Sequence, residues 1–268
     1  LVFFAVVARA GTTPGIKFIE NKRQWPSTID FSARVPGGTM LVQPGKFKYY
    51  FLDEKRMQEL HEHSHDKRNE ADGSYGAGEM INGDGLEVSF VGANVVSRPI
   101  AFGKSLEYYN YFIGNNPDQW ASKAYAYDGV IYPDLYREID MKVYSFDRHI
   151  KYDFIVAPYG DPSDILLEYL GAQALILEDG HLIVKTSIGE VLEQKPVAYQ
   201  WINGQKIHVS CEYNLEGNLL SFCFPKGYDP CYELVIDPLL IFATYSGSTA
   251  DNWGSTATPG ENGNLYSA

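Results

Sequence analysis

What most constrains this chain is the recurrence of glycine-bearing turn dipeptides between runs that alternate apolar and polar residues. Gly37-Gly38, Pro44-Gly45, Asp179-Gly180, Asn203-Gly204 and Glu216-Gly217 each separate two strand-like stretches. Asn-Gly and Asp-Gly supply the positive φ angles that a type I′ hairpin turn requires. Leu175–Val184 is therefore expected as a hairpin about Asp179-Gly180, and Tyr199–His208 as another about Asn203-Gly204. His208–Phe224 reads as a third, about Glu216-Gly217. Further strands are expected at Leu86–Val91, Ile139–Phe146, Lys151–Val156, Ile165–Leu170 and Tyr232–Ile236. Within Lys151–Val156, Tyr152, Phe154 and Val156 share one face at the two-residue period of a strand. Short strands at this spacing, joined mostly by tight turns, define an all-β chain: an antiparallel β-sandwich or barrel-like domain.

Composition agrees and excludes partners. The chain has 20 Tyr, 14 Phe and 4 Trp in 268 residues, types that favour half-buried pleated surfaces. Thirty-four acidic against 22 basic residues give a formal charge of −12. A basic nucleic-acid footprint is absent, and nothing favours an anionic membrane surface. No run approaches the ~18 apolar residues of a spanning helix, so no transmembrane span is expected.

Three stretches depart from the strand pattern. Asp53–His65 lacks turn residues and is rich in helix formers, with Met57 and Leu60 at i and i+3; one short surface helix is expected there. Residues 66–85 then turn polar and Gly-rich, as a loop. At the start, eight apolar residues precede Ala8-Arg9-Ala10, a small-x-small cleavage pattern. Residues 1–10 read as a signal-peptide remnant, the alternative being a buried strand. A signal implies a secreted or cell-surface protein.

The candidate sites are few. His61 and His65 sit at i and i+4 and could present two imidazoles on one helix face. A third ligand is missing, and Glu62 does not occupy the general-base position of His-Glu-x-x-His, so the expectation is a solvated helix end and no metal. Cys211 and Cys223 are equidistant from Gly217 and could bridge across the hairpin. Cys223 with Cys231, or three buried free thiols, are the alternatives. Asp134, Glu138 and Asp140, and likewise Asp161 and Asp164, lie close in sequence. A glycosidase needs two carboxylates held roughly 5–10 Å apart; turn capping explains these equally well. Tyr108, Tyr109, Tyr111, Trp120, Tyr125, Tyr127, Tyr132 and Tyr136 form an aromatic-rich stretch. Its alternation suggests core with some rings exposed, the latter suited to sugar or protein contacts. No nucleophile elbow, phosphate loop or dinucleotide fingerprint is present. No catalytic residue, cofactor or enzymatic activity is therefore expected.

Phe18-Ile-Glu-Asn-Lys-Arg-Gln-Trp25 resembles the F-x-E-N-x-G-Q-W opening of a domain that precedes SBBP β-propeller repeats in exported bacterial proteins. Val88–Asn94, Tyr109–Trp120, Ile131–Asp140, Tyr152–Pro158 with Asp161-Pro162, Gln194–Gln200 and Leu234–Pro238 extend the resemblance in order across residues 18–238. Arg23 stands where that family usually has Gly. The tail, Leu240–Gly254 with Glu261–Ser267, resembles the start of one SBBP repeat. The resemblance implies an all-β surface domain at 16–238, in one lobe or two, and a truncated first repeat at 239–268 that packs poorly alone or lies along the main domain. Similar chains are large cell-surface proteins, many from Bacteroidetes, with gliding-motility or type IX secretion sorting domains. The expected role is a non-enzymatic structural or interaction module, partnered by downstream repeats and by a protein or glycan at the surface. The rivals are a carbohydrate-binding module and a hydrolase using a carboxylate pair.

Overall fold

The computed structural model describes residues 15–52, 83–112, 114–146 and 149–243, with two short strands beyond. The expected helix at 53–65, with His61 and His65, and the signal-like residues 1–10 lie outside the described residues. The first strands are β1 (Phe18–Glu20), β2 (Phe31–Val35), β3 (Gly38–Gln43), β4 (Lys46–Leu52), β5 (Gly83–Phe90), β6 (Ile100–Phe102) and β7 (Tyr108–Tyr111). β8 (Ala121–Tyr127), β9 (Gly129–Tyr136), β10 (Ile139–Phe146), β11 (His149–Val156) and β12 (Leu167–Leu170) follow. Then come β13 (Ala174–Glu178), β14 (His181–Lys185), β15 (Glu190–Glu193), β16 (Val197–Ile202) and β17 (Gln205–Val209). β18 (Glu212–Glu216), β19 (Leu219–Cys223), β20 (Leu234–Asp237) and β21 (Leu239–Ala243) complete the fold. A separate two-stranded pair, β22 (Ala257–Pro259) and β23 (Leu265–Ser267), follows.

All pairings are antiparallel, and β1 to β21 form two sheets. The first has the order β18-β19-β12-β5-β4-β3-β2-β1-β8-β7. The second runs β13-β14-β15-β21-β11-β10-β9-β6, with β20 and the β16–β17 hairpin branching from β11. The arrangement is a sandwich; neither sheet closes into a barrel. The branch is made by Pro238. β11 pairs with β20 at Phe154–Val156 and with β21 at Ile150–Lys151. Between them Pro238 has no N–H for a ladder, and there the strand passes from β16 as its outer neighbour to β15.

Strict alternation produces the core. On β4, Phe47, Tyr49 and Phe51 point inward, while Lys46, Lys48 and Tyr50 face out. The facing sheet answers with Tyr152, Phe154 and Val156. Rings meet across the gap: Phe47–Tyr152 at 6.0 Å and Phe90–Phe154 at 6.1 Å, both edge-to-face. Each such pair adds about 0.5–1.5 kcal/mol beyond the area it buries. One apolar cluster takes in residues from Phe18 to Leu240. A smaller cluster of Ile19, Trp25, Ile29, Leu41 and Ala124 caps the outer side of the first sheet.

The turn chemistry operates as the sequence implied. Asp179 and Gly180 have φ of 51° and 81°, Asn203 and Gly204 of 51° and 78°. The tail differs. β21 pairs with β11 and β15, and Leu240 is fully buried in the main core. The chain past Pro238 is thus an integral strand as far as Ala243, because Leu240 alternates inward like the rest of its sheet.

Candidate functional site

Local structure explains the N-terminal motif residue by residue. Phe18 fills the core. Glu20 accepts from the Tyr125 N–H at 3.0 Å and the Tyr127 hydroxyl at 3.2 Å, fastening β1 to β8. Asn21 organises the following loop: its Nδ2 donates to the carbonyls of Pro26 and Ile29, and its Oδ1 accepts from the Arg23 N–H. Gln24 donates to the Glu20 carbonyl at 2.8 Å. Trp25 packs edge-on to Tyr111 at 5.3 Å. Arg23 holds φ +87°, the conformation for which glycine is the unstrained residue. The loop walls a shallow cleft of about 520 Å³ with Asp30, Ser27 and Pro99. Burial raises the Asp30 carboxyl, partly offset by the Tyr132 hydroxyl donating at 2.8 Å. These polar groups are committed to holding the loop.

The aromatic stretch divides sharply. Tyr132 and Tyr136 are core. Tyr108, Tyr109, Phe112 and Trp120 are 48%, 42%, 61% and 41% exposed and cluster at the β7–β8 edge of the first sheet. Phe112 and Trp120 meet edge-on at 5.9 Å, and the Trp120 indole N–H donates to the Gly114 carbonyl. Lys104 lies 3.5 Å above the Tyr125 ring. Asn116 caps the short 3₁₀ turn Pro117–Gln119, accepting from the Asp118 N–H. Phe112 and Trp120 are therefore held in place, while Lys104 covers Tyr125, which Tyr108 meets edge-on at 6.0 Å.

A carboxylate pair does exist, but not where sequence proximity pointed. Asp134 turns back on Asp140, whose carboxylate accepts its N–H at 2.8 Å. Asp161 caps Pro162–Asp164. Both sets are turn chemistry. The true pair is Asp153 and Asp237, 84 positions apart: continuing the β11–β20 register places them opposite one another. Burial, and then the Asp237 charge, pushes Asp153 up to about 7. Lys151 lies 2.6 Å from Asp237, and Tyr144 donates to Asp153 at 3.4 Å. Directly opposite positions on paired strands put the two Cβ atoms about 4.5–5.5 Å apart. Alternation hid this pair, since each aspartate alone looks like a solvated strand position.

Sequence reasoning also missed Glu193. It is 2% exposed, between the sheets. Tyr152 donates to it at 2.6 Å and Tyr169 donates to its other oxygen. Burial raises its carboxyl while Tyr152, Tyr169 and Tyr213 pull it back. Surrounded by phenols and closed to solvent, it is a structural polar centre.

The cysteines do not bridge. Gly217 (φ +65°) and Asn218 form a two-residue turn, which pairs Glu216 with Leu219 and hence Glu212 with Cys223. Equidistance from one glycine would need an odd-numbered turn. Cys211 instead falls in line with the inward Tyr213, and Cys223 beside the outward Glu212. All three thiols are free, and burial lifts Cys211 to about 12. Among the described residues, no three His, Cys, Asp or Glu side chains are grouped to hold a metal. None of their helices is long and apolar enough to cross a membrane.

Fold and site together define an antiparallel two-sheet domain whose polar clusters serve the fold and whose exposed chemistry is an aromatic edge. The chain belongs to the family described as a domain of unknown function, DUF7948, which matches residues 18–239. No curated protein and no solved structure matches it.

Proposed function

We propose that this domain is a non-enzymatic interaction module of an exported cell-surface protein. It stands N-terminal to SBBP-type β-propeller repeats and offers the β7–β8 aromatic edge to a partner. The observation that carries this reading is the exposure of Tyr108, Tyr109, Phe112 and Trp120 along this one edge, with Lys104 over Tyr125, the ring that Tyr108 meets. Large aromatics and cations are the residues enriched where proteins meet. The pair β22–β23, within the stretch that resembles a repeat, agrees with a further β unit there. Bacteroidetes origin and a link to gliding motility or type IX secretion belong to the same proposal and rest on the motifs. Protease added to intact cells producing the full-length protein tests export. Degradation is expected, and protection until lysis would contradict it.

A second reading, carbohydrate binding, is favoured by the held rings of Trp120 and Phe112, since an exposed ring face stacks on the apolar face of a sugar. Titrating tryptophan fluorescence with soluble cell-wall polysaccharide separates the two. A saturable change that is lost in Trp120→Ala selects the glycan reading, and a flat titration selects the protein partner.

A further inference from the structure

Among the described residues the two sheets end in five edge strands, and four of them are blunted. β6 has three residues and follows Pro99 directly. β7 carries a register shift between Tyr109 and Tyr111. β17 presents Gln205, Lys206 and His208, and β18 presents Glu212, Asn214 and Glu216. Short length, bulges and charge are the devices that stop an open row of N–H and C=O groups from recruiting another strand. β13 has no bulge, and its one charged residue, Glu178, stands at its end. Its sequence is Ala174-Leu-Ile-Leu-Glu178, with no lysine, proline or bulge, and its pairing with β14 is regular throughout.

The core is also left open at this edge. Leu177 pairs with the fully buried Leu182, yet is 38% exposed; Ile176, on the opposite face, is 39% exposed. One more strand beside β13 would cover both. We propose that the occupant is β13 of a second copy, paired antiparallel about a two-fold axis through Ile176. In that register Ile176 faces its own copy, Leu175 faces Leu177, and Ala174 faces Glu178. The strand is therefore complementary to itself, as an isologous contact demands. Charge selects this orientation: the acidic Glu178 and Asp179 sit at one end only, so antiparallel pairing parts them, whereas parallel pairing would stack like charges. The contact is short against the ~1,200 Å² of a standard interface, so the dimer is reversible and concentration-dependent.

Sedimentation of the full chain over a range of concentrations tests the proposal. A monomer–dimer equilibrium is expected, weakened at least ~10-fold, or about 1.4 kcal/mol, by Ile176→Lys and unchanged by Ile207→Lys on the exposed part of β17. A thermal melt confirms that each variant folds. A cysteine scan in a Cys231→Ser background reads the register directly. Ile176→Cys should form an intermolecular disulfide on oxidation, while Glu178→Cys, ~14 Å from its copy in this register, should not. A monomer at every concentration overturns the proposal, whether the edge is bare or covered by residues 53–82 of the same chain. So does a dimer that survives Ile176→Lys, or one cross-linked through Glu178→Cys and not Ile176→Cys.

Discussion

The phenol of Tyr169, on one sheet, donates a hydrogen bond to the carboxyl of Glu193, on the other. Tyr152, from Glu193's own sheet, occupies the second oxygen. A carboxyl 2% exposed is costly unless every lone pair is used. The phenols use them, and in doing so they fix how the two sheets face each other. Glu193→Ala would strand the tyrosine hydroxyls in the core. We expect a loss of about 3 kcal/mol in denaturant unfolding. Glu193→Gln, which keeps an acceptor and removes the buried charge, should cost under about 1 kcal/mol.

Asp153 makes stability depend on pH. Its folded value is raised to about 7 by burial and by Asp237, so between roughly pH 4 and 7 the folded state holds a proton that the unfolded state releases. Its contribution is fully present below the unfolded value and is lost as pH rises through about 7. Asp153→Asn mimics the protonated form. Relative to the parent, it should gain about 2 kcal/mol between pH 5 and pH 8, measured by thermal melts across that range. An unchanging difference would mean that burial and Asp237 do not raise Asp153.

Glu87 has the opposite sign. Burial works against its charge, yet Lys46, Lys48 and Ser89 hold it down at about 2. Its contribution is present above the unfolded carboxylate value, about 4.3, and is lost as pH falls toward 2. Glu87→Gln should therefore destabilise the protein at pH 7, by about 1 kcal/mol for so partly exposed a group, and have no effect near pH 2.

Arg23 carries φ +87° in a loop whose hydrogen bonds come from Asn21 and Gln24. Arg23→Gly should stabilise the domain by about 1 kcal/mol, since the left-handed conformation costs a side-chain-bearing residue about that much. A loss of stability would show that the arginine side chain holds the loop.

Much of this fold is written in local sequence. Asp179-Gly180 and Asn203-Gly204 dictate their turns, and the period of two in β4 and β11 dictates which face is buried. What local sequence does not contain is parity and distance. The disulfide expectation at Cys211 and Cys223 failed by a single position, because a two-residue turn at Gly217-Asn218 shifts the ladder by one. The Asp153–Asp237 pair and the Glu193–Tyr169 contact join residues brought together only by sheet order, which neither alternation nor turn chemistry specifies. The strand after Pro238 was hidden for a related reason: its apolar run fits a new repeat as well as a last strand of the old sheet. The aromatic stretch was legible as mixed. Its division into core Tyr132 and exposed Trp120 follows from where the first sheet ends.

The central claim is that the β7–β8 edge meets a partner, and photo-cross-linking tests it most directly. A photoreactive residue replacing Tyr109 in the full-length protein, irradiated on cells, should yield one discrete adduct. The same group replacing Glu216, on the opposite edge of that sheet, should yield none. No adduct at Tyr109, or equal adducts at both positions, would contradict the account.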